Sequence, residues 1–331
     1  MKRVTLLKGE GIGPEITESV LAIFQHLNLD IVFEEQLLGN AALKACGDVL
    51  PPATLDSIKS NRVALKAPYQ TEVGQGYRSV NVALRQSLDL YANIRPITTL
   101  IPTLSPFGDI NLTIVRENTE DLYIGKEEII EEDKEVIAIK KITRLASERI
   151  CRYAFDYAQT HNFQKVTAVH KANILKDSDG LFLRVYKEIK TSYPLLTAND
   201  LIVDNAAMQL VLNPQQFQVM VMPNLYGDIL SDLASGLVGG LGLAPSANIG
   251  ENYAVFEACH GSAPDIAGKN LANPTALLLS ACMMLEHIGQ LDESEKIKTA
   301  LFNSLADKHY TTDLGGSLST KEFTDKIIAH L

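Results

Sequence analysis

The sequence predicts an α/β protein with a largely parallel sheet, and three features point there. Short apolar runs of strand length alternate along the chain with stretches of helical period. The runs are bounded by glycine and proline, as buried strands are, Phe217–Met222 before Pro223 being the clearest. With 331 residues, 46% of them hydrophobic, the chain has material for two domains or one large α/β unit.

In order, Val4–Leu7 reads as the first strand, followed by a glycine-rich turn. Pro14 then opens an amphipathic helix (Ile16, Val20, Ile23, Phe24, Leu27), with proline in its favoured first turn. Ile31–Phe33 and Val63–Ala67 read as strands, with a helical stretch around Ala53–Lys59 between them. Asn111–Val115, Val166–Val169, Leu201–Val203 and Phe217–Met222 continue the strand series, and Leu277–Ile288 is an apolar helix. One stretch breaks the rhythm. Glu135–Ile142 is β-branched and partly alternating, follows the acidic run Glu127–Glu132, and reads as an exposed arm or hairpin to which a partner chain can pair.

Composition excludes several classes of function. Thirty basic against forty acidic residues give a net charge of −10, which opposes nucleic-acid binding. No run approaches the roughly 18 apolar residues of a membrane helix, and the N-terminal segment has no signal-peptide pattern. Cys46, Cys151, Cys259 and Cys282 lie far apart and read as free thiols in a reducing compartment. These features together predict a cytoplasmic protein. The turn Gly9-Glu10-Gly11-Ile12-Gly13-Pro14 resembles a dinucleotide loop but has the wrong glycine spacing, and Glu10 would repel a pyrophosphate; it reads as a tight strand–helix turn.

Four constellations carry chemistry. In Asn224-Leu-Tyr-Gly-Asp228-Ile-Leu-Ser-Asp232 a turn precedes a helix, and the four-residue spacing puts two carboxylates on one helix face. A divalent cation such as Mg²⁺ or Mn²⁺ would relieve their repulsion; the plain alternative is a solvated face. Arg85, Arg95 and Arg116 each lie among apolar residues, and three guanidinium forks suit a di- or tricarboxylate. Structural ion pairs with neighbours such as Asp89 or Glu117 are the alternative for each arginine. Lys171 follows a strand and can serve as a base, Tyr123 can supply a proton, and Asp204 at another strand end would complete a metal site. Their plain roles are a surface lysine, a core tyrosine and a helix cap, and His170 reads as packed. Finally, His260–Pro274 is a glycine- and proline-punctuated loop able to wrap a ligand with backbone N–H groups.

Taken with LR…LDLYANIRP, RENTEDLY, HKAN, VDN, NLYGDILSD, GGLGLAPSANIG, HGSAPDIAGK…NP and TTDLGG, these segments resemble the β-decarboxylating dehydrogenases, which act on isocitrate, 3-isopropylmalate and homoisocitrate. The resemblance covers essentially the whole chain. It implies an isopropylmalate dehydrogenase-like two-domain fold, not Rossmann, with a mixed, mostly parallel sheet. Residues 1–99 and 245–331 would form a large, discontinuous nucleotide-binding domain. Residues 100–244 would form a small domain with the dimer interface and an arm near 126–142. The active site would lie in the cleft between the domains, completed by a second subunit of a homodimer or higher homo-oligomer.

Position by position, the resemblance makes Asp228 and Asp232 metal ligands from one subunit and Asp204 the ligand from its partner. Arg85, Arg95 and Arg116 match the carboxylate clamp, with Asn173 as a further substrate contact. Lys171, reaching across from the partner subunit, and Tyr123 match the acid–base pair, and Asp204 stands with them as a catalytic carboxylate. Ser79 and Asn81 match the residues that bind the γ-carboxylate of isocitrate, where isopropylmalate enzymes place apolar groups. Asp265 and Ile266 indicate NAD rather than NADP, because a carboxylate accepts from ribose hydroxyls and repels a 2′-phosphate. Thr71, His260, Gly261, Ala263 and Asn273 would be further cofactor contacts. The segment Tyr69-Gln70-Thr71-Glu72 departs from the Gly-Thr-Pro of isocitrate enzymes, which leaves the nicotinamide-ribose contacts open. The implied activity is NAD-dependent, metal-dependent oxidative decarboxylation of isocitrate in the tricarboxylic acid cycle. Homoisocitrate or 3-isopropylmalate dehydrogenase, or a non-catalytic regulatory subunit of a hetero-oligomer, are the alternatives.

Overall fold

The computed structural model describes residues 2–70 and 79–331, and it divides into two compact units. The first unit runs to Asp89 and resumes at Leu100–Ser105 and Val238–Leu331; the second holds Leu90–Thr99 and Pro106–Leu237. The first unit opens with β1 (Lys2–Leu7), α1 (Gly13–His26) and β2 (Ile31–Glu35). Ile16, Val20 and Ile23 of α1 are fully buried, as their helical spacing predicts, and Pro14 sits in its first turn. Next come α2 (Gly39–Cys46), α3 (Pro52–Asn61), β3 (Val63–Lys66) and α4 (Val80–Ser87). β1 pairs in parallel with both β2 and β3.

The second unit begins with β4 (Ala92–Thr98) and β5 (Asn111–Glu117), an antiparallel pair. β4 was not legible as a strand, because it carries Arg95 and Pro96 and proline disfavours a ladder. β6 (Glu127–Glu131) and β7 (Glu135–Ala138) then form a separate antiparallel hairpin whose residues are all exposed. The acidic run read as a preface to the arm is therefore one of its two strands. After α5 (Arg144–Thr160) come β8 (Lys165–His170), α6 (Ser178–Lys190), β9 (Thr197–Ile202), α7 (Val203–Leu212), β10 (Val219–Met222) and α8 (Asn224–Leu237).

Two readings need correction here. Val203 starts α7 rather than ending a strand, and Asn224–Gly227 is the first turn of α8 rather than a turn before it. Pro223 supplies the break, and the N–H of Gly227 donates to its carbonyl at 3.0 Å. Within this unit the strand order is β4-β5-β10-β8-β9, and the last four are mutually parallel. All four residues of β10 are fully buried, at roughly 1.5–3 kcal/mol for each large apolar side chain.

The first unit resumes with β11 (Pro245–Ile249), β12 (Ala254–Ala258), α9 (Thr275–His287), α10 (Leu291–Ala306) and α11 (Thr320–Ile328). Its strand order is β2-β1-β3-β12-β11, with β12 parallel to β3 and β11 antiparallel to β12. α9 is apolar on nearly every side and is buried accordingly. No helix among the described residues is long and apolar enough to cross a membrane.

Candidate active site

In the second unit the parallel strands bring their carboxyl ends to one edge of the sheet, where open α/β sheets place ligands. Arg116 lies at the end of β5, opposite Met222 of β10 and Asn93 of β4. Lys171 follows β8, and Asp204 follows β9 by one residue.

Asp228 is the centre of the first cluster. Its Oδ1 accepts from Nη1 of Arg116 and from Nη2 of Arg95 at 3.4 Å, and its Oδ2 accepts from the Tyr123 hydroxyl. Arg116 is buried, and its Nε and Nη2 both donate to Oδ1 of Asn224, at 2.9 and 2.7 Å. The Arg116 guanidinium also lies 5.0 Å from the Tyr123 ring, in cation–π contact. Arg95 donates from Nε to Asn93 at 2.8 Å, and from Nη1 to Ser231 at 2.6 Å and Asp232 at 3.1 Å. Gly227 makes this possible. A Cβ there would meet Cγ of Arg116 at 2.4 Å, so only glycine lets the arginine stem cross the helix.

Asp228 and Asp232 remain 38% and 54% exposed at the side chain, so their oxygens can still be reached. Burial pushes the Asp232 carboxyl above its ordinary range despite Arg95, and the charge of Asp228 adds to the shift. Two open, incompletely neutralised carboxylates with only oxygen donors fit a hard divalent cation. Asp204 does not join them within one chain: the three carboxylates do not close to within 4.8 Å of one another. It instead accepts from Nζ of Lys171 at 2.5 Å, and that bond holds its carboxyl below the ordinary range. Asn173 lies exposed in the turn after Lys171. His170 is packed as expected, its Nε2 3.1 Å from Oδ2 of Asp200 and its Nδ1 accepting from the backbone N–H of Ala172 at 3.0 Å.

In the first unit, Arg85 of α4 donates to Oε1 of Glu257 at 3.3 Å. Lys66 pairs with the other oxygen, and Asn248 donates to Oε1 at 2.7 Å. Burial would raise the Glu257 carboxyl, but Lys66 and Arg85 prevail and hold it at about 2. Nε of Arg85 and Oδ1 of Asn81, one helical turn apart, are buried without a hydrogen-bond partner among the described residues. Ser79 stands at the N-cap position of α4, without a side-chain capping hydrogen bond. Thr71 falls outside the described residues.

The loop after β12 holds the expected nucleotide residues. His260 is half-buried, its Nδ1 lies 3.0 Å from the Gly261 carbonyl, and its buried Nε2 has no partner among the described residues. Burial lowers its pKa, so it is a neutral imidazole with a free ring nitrogen to offer. Ala263 adopts a positive φ of 38°, Asp265 is exposed and Ile266 is half-buried. Asn273 donates to Asp313 at 3.0 Å, which ties this loop to the Thr311–Gly316 segment. An orphaned imidazole nitrogen and, on the same loop, an exposed carboxylate fit a dinucleotide's hydroxyl-rich portion. The opening glycine turn packs here too, the N–H of Ile12 donating to Ser262 at 2.8 Å. Glu10 accepts from the backbone N–H of Asn40 at 2.6 Å and of Gln70 at 3.0 Å, so it is a clasp between loops.

Several members of these clusters escaped sequence reasoning. Asn93 shares a strand face with Arg95 by two-residue alternation, and Ser231 adjoins Asp232; both spacings were available as signals. Glu257 and Lys66 sit in apolar strands, and a buried charge in such a run was the signal to pair them. Asn224 reads as a turn residue in the sequence, and its partnership with Arg116, like that of Asp313 with Asn273, joins residues distant in the chain.

Comparison with known proteins agrees with this geometry. The sequence profile described as isocitrate/isopropylmalate dehydrogenase matches residues 3–327. The chain is 50% identical to the mitochondrial NAD isocitrate dehydrogenase catalytic subunit 5 of Arabidopsis thaliana, over 99% of this chain and 88% of that one. It is 48% identical to the 3-isopropylmalate dehydrogenase of Methanothermobacter thermautotrophicus, over 99% and 98%. The crystal structure of isocitrate dehydrogenase from Methylococcus capsulatus superposes with a TM-score of 0.96 at 49% identity, covering 100% of this chain and 99% of that one. The cytoplasmic location expected from the sequence gains no support from these names, the plant relative being called mitochondrial. With the expected non-Rossmann fold present and the match running nearly end to end, the chain belongs to the isocitrate/isopropylmalate dehydrogenase family.

Proposed function

We propose that this chain is an NAD⁺-dependent enzyme that oxidises and decarboxylates isocitrate to 2-oxoglutarate and CO₂, a step of the tricarboxylic acid cycle. The observation that carries the reading is the sharing of one carboxylate, Asp228, among Arg116, Arg95 and Tyr123, with Asp232 one helical turn on. Asp228 and Asp232 would hold Mg²⁺ or Mn²⁺, with Asp204 supplied by a second copy in a homodimer or higher oligomer. When bound, the ion supplies Lewis acidity at the substrate's oxygens, and the nicotinamide supplies a hydride acceptor.

The chain's own residues do the rest. Arg95 and Arg116, with Arg85, bind substrate carboxylates, and Asn173 adds a polar contact. Ser79 and Asn81 take the γ-carboxylate, the hydroxyl and the side-chain amide N–H being the groups able to donate to it. Lys171, with Asp204 beside it, accepts the 2-hydroxyl proton as hydride leaves C2. Loss of CO₂ from the resulting β-keto acid leaves an enolate, and Tyr123 returns a proton to C3. The nucleotide is held by His260, Gly261, Ala263, Asp265, Ile266 and Asn273 of the first unit, together with Thr71.

One other substrate is favoured by a specific observation: a relative 48% identical to this chain is a 3-isopropylmalate dehydrogenase. Ser79 and Asn81 argue against it, because an isopropyl group would leave buried polar atoms unpaired. NADH formation by the purified chain with isocitrate, homoisocitrate and 3-isopropylmalate decides the matter. Isocitrate is expected to give the highest kcat/KM, and a higher value for either other acid overturns the assignment.

A further inference from the structure

Away from the residues assigned above, the ends of α10 and α11 bring three metal-ligating side chains together. Asp307, His309 and His330 offer ligand atoms that all lie within 4.8 Å of one another, and no other such trio occurs among the described residues. Asp307 closes α10 as its C-cap. Lys308 then takes a left-handed φ of 61°, its N–H donating to Leu305 at 3.0 Å, and the N–H of His309 donates to Ser304 at 3.1 Å. That is the paired-bond ending in which glycine normally occupies the left-handed position, so the backbone holds His309 beside Asp307 in a conformation a lysine rarely adopts. The ring is steadied as well, with Nδ1 3.4 Å from the buried hydroxyl of Ser304. His330 follows the last turn of α11, its N–H donating to Ile327 at 3.0 Å and its Nε2 lying 3.3 Å from Oδ2 of Asp307.

We propose that Asp307, His309 and His330 form a site for a borderline transition-metal ion, Zn²⁺ being the best match, which fastens the end of α11 to the end of α10. Two imidazoles and one carboxylate are a donor set for zinc, and a poor one for Mg²⁺ or Ca²⁺, which take oxygen. The Ser304 contact is the outer support that a metal-binding histidine commonly has on its second ring nitrogen. Both helices point their carboxyl ends at the site, and the partial negative charge there favours a cation. Asp292, Glu295 and Lys296 line a surface recess with His330, two acidic groups against one basic. Three protein ligands leave a fourth position for water. The ion stands apart from the catalytic cation in donor chemistry, and this inference does not depend on the proposed activity.

The test titrates the metal-free full-length chain with ZnCl₂ in saturating Mg²⁺, so that the carboxylate pair is occupied. One Zn²⁺ per chain is expected beyond any bound at that pair, and Zn²⁺ is expected to raise Tm. His309→Ala and His330→Ala should each weaken that binding by about tenfold or more and remove the Tm increase. Asp228→Asn should leave it intact. Co²⁺ in place of zinc should give the visible absorption of a low-coordinate site in the parent chain and none in the histidine variants. Equal Zn²⁺ affinity in the parent and both histidine variants, each folded by circular dichroism, overturns the proposal.

Discussion

The two units of this chain set out four parallel strands and one antiparallel strand each, yet they use arginine–carboxylate pairs in opposite ways. In the first unit, Glu257 is buried, and Lys66, Arg85 and Asn248 all point at it. In the second, Asp228 and Asp232 are half open, and Arg95, Arg116 and Tyr123 share them. A buried, saturated carboxylate is costly to disturb and gives nothing to a ligand. An open, shared one can exchange its partners for a cation or a substrate. The arginines are largely buried in both units, so it is the exposure of the carboxylate, rather than the presence of an ion pair, that separates scaffold from chemistry.

The largest effect that could break this comparison lies in the second unit. Asp228→Asn should lower kcat by roughly 10³-fold or more, since it removes a cation ligand and the partner of Tyr123. Steady-state NADH formation measures this, and near-parental turnover would put the chemistry elsewhere. In the first unit, Glu257→Gln should act on stability instead. It leaves Lys66 buried beside a neutral group, at a cost of about 3–5 kcal/mol in denaturant unfolding. Unchanged unfolding would show that the cluster is not scaffold.

Gly227→Ala sharpens the contrast, because the new methyl would stand 2.4 Å from Cγ of Arg116. Overpacking of this kind costs about 1–3 kcal/mol, and a displaced guanidinium should lower kcat/KM by about 10- to 100-fold. An active, fully stable variant would mean that Arg116 is free to move. Asp265→Lys should shift the NAD⁺/NADP⁺ preference toward NADP⁺ by about tenfold, roughly 1.4 kcal/mol. An unchanged ratio would show that the adenosine lies elsewhere.

The smallest effect is in pH dependence, where two buried glutamates take opposite signs. Burial pushes Glu120 up to about 7 although Thr143 donates to it twice, at 2.8 Å each. The folded state therefore holds a proton that the unfolded chain has released, and stability should rise as pH falls from above 7 toward the ordinary carboxylate range. Glu257 is held at about 2, so its contribution is present above that range and is lost as pH falls toward 2. Glu120→Gln should flatten the neutral-pH slope, and Glu257→Gln the acid one. Profiles matching the parent in both variants would remove these assignments.

Much of this was legible in the sequence, for physical reasons. Buried parallel strands are continuous apolar runs, so β8 and β10 stand out, and the i, i+4 aspartates announce a helix face. β4 did not stand out, because it holds a proline and because its arginine is satisfied only by partners far along the chain, Ser231 and Asp232. The α8 boundary was misread because Tyr-Gly suggests a turn, whereas Gly227 is there to let Arg116 pass. Glu10 suggests only a charge that opposes a phosphate, and its clasp on Asn40 and Gln70 depends on the fold bringing the opening turn to the start of α2 and the segment after β3. Local pattern marks an element or a donor. Partners distant in sequence decide whether that donor is scaffold or site.

The most direct test of the open-carboxylate account is the Mn²⁺ dependence of isocitrate oxidation in the parent chain and in Asp232→Asn. The account predicts that the variant stays folded and needs at least about tenfold more Mn²⁺ for half-maximal rate. Superimposable Mn²⁺ saturation curves would contradict it.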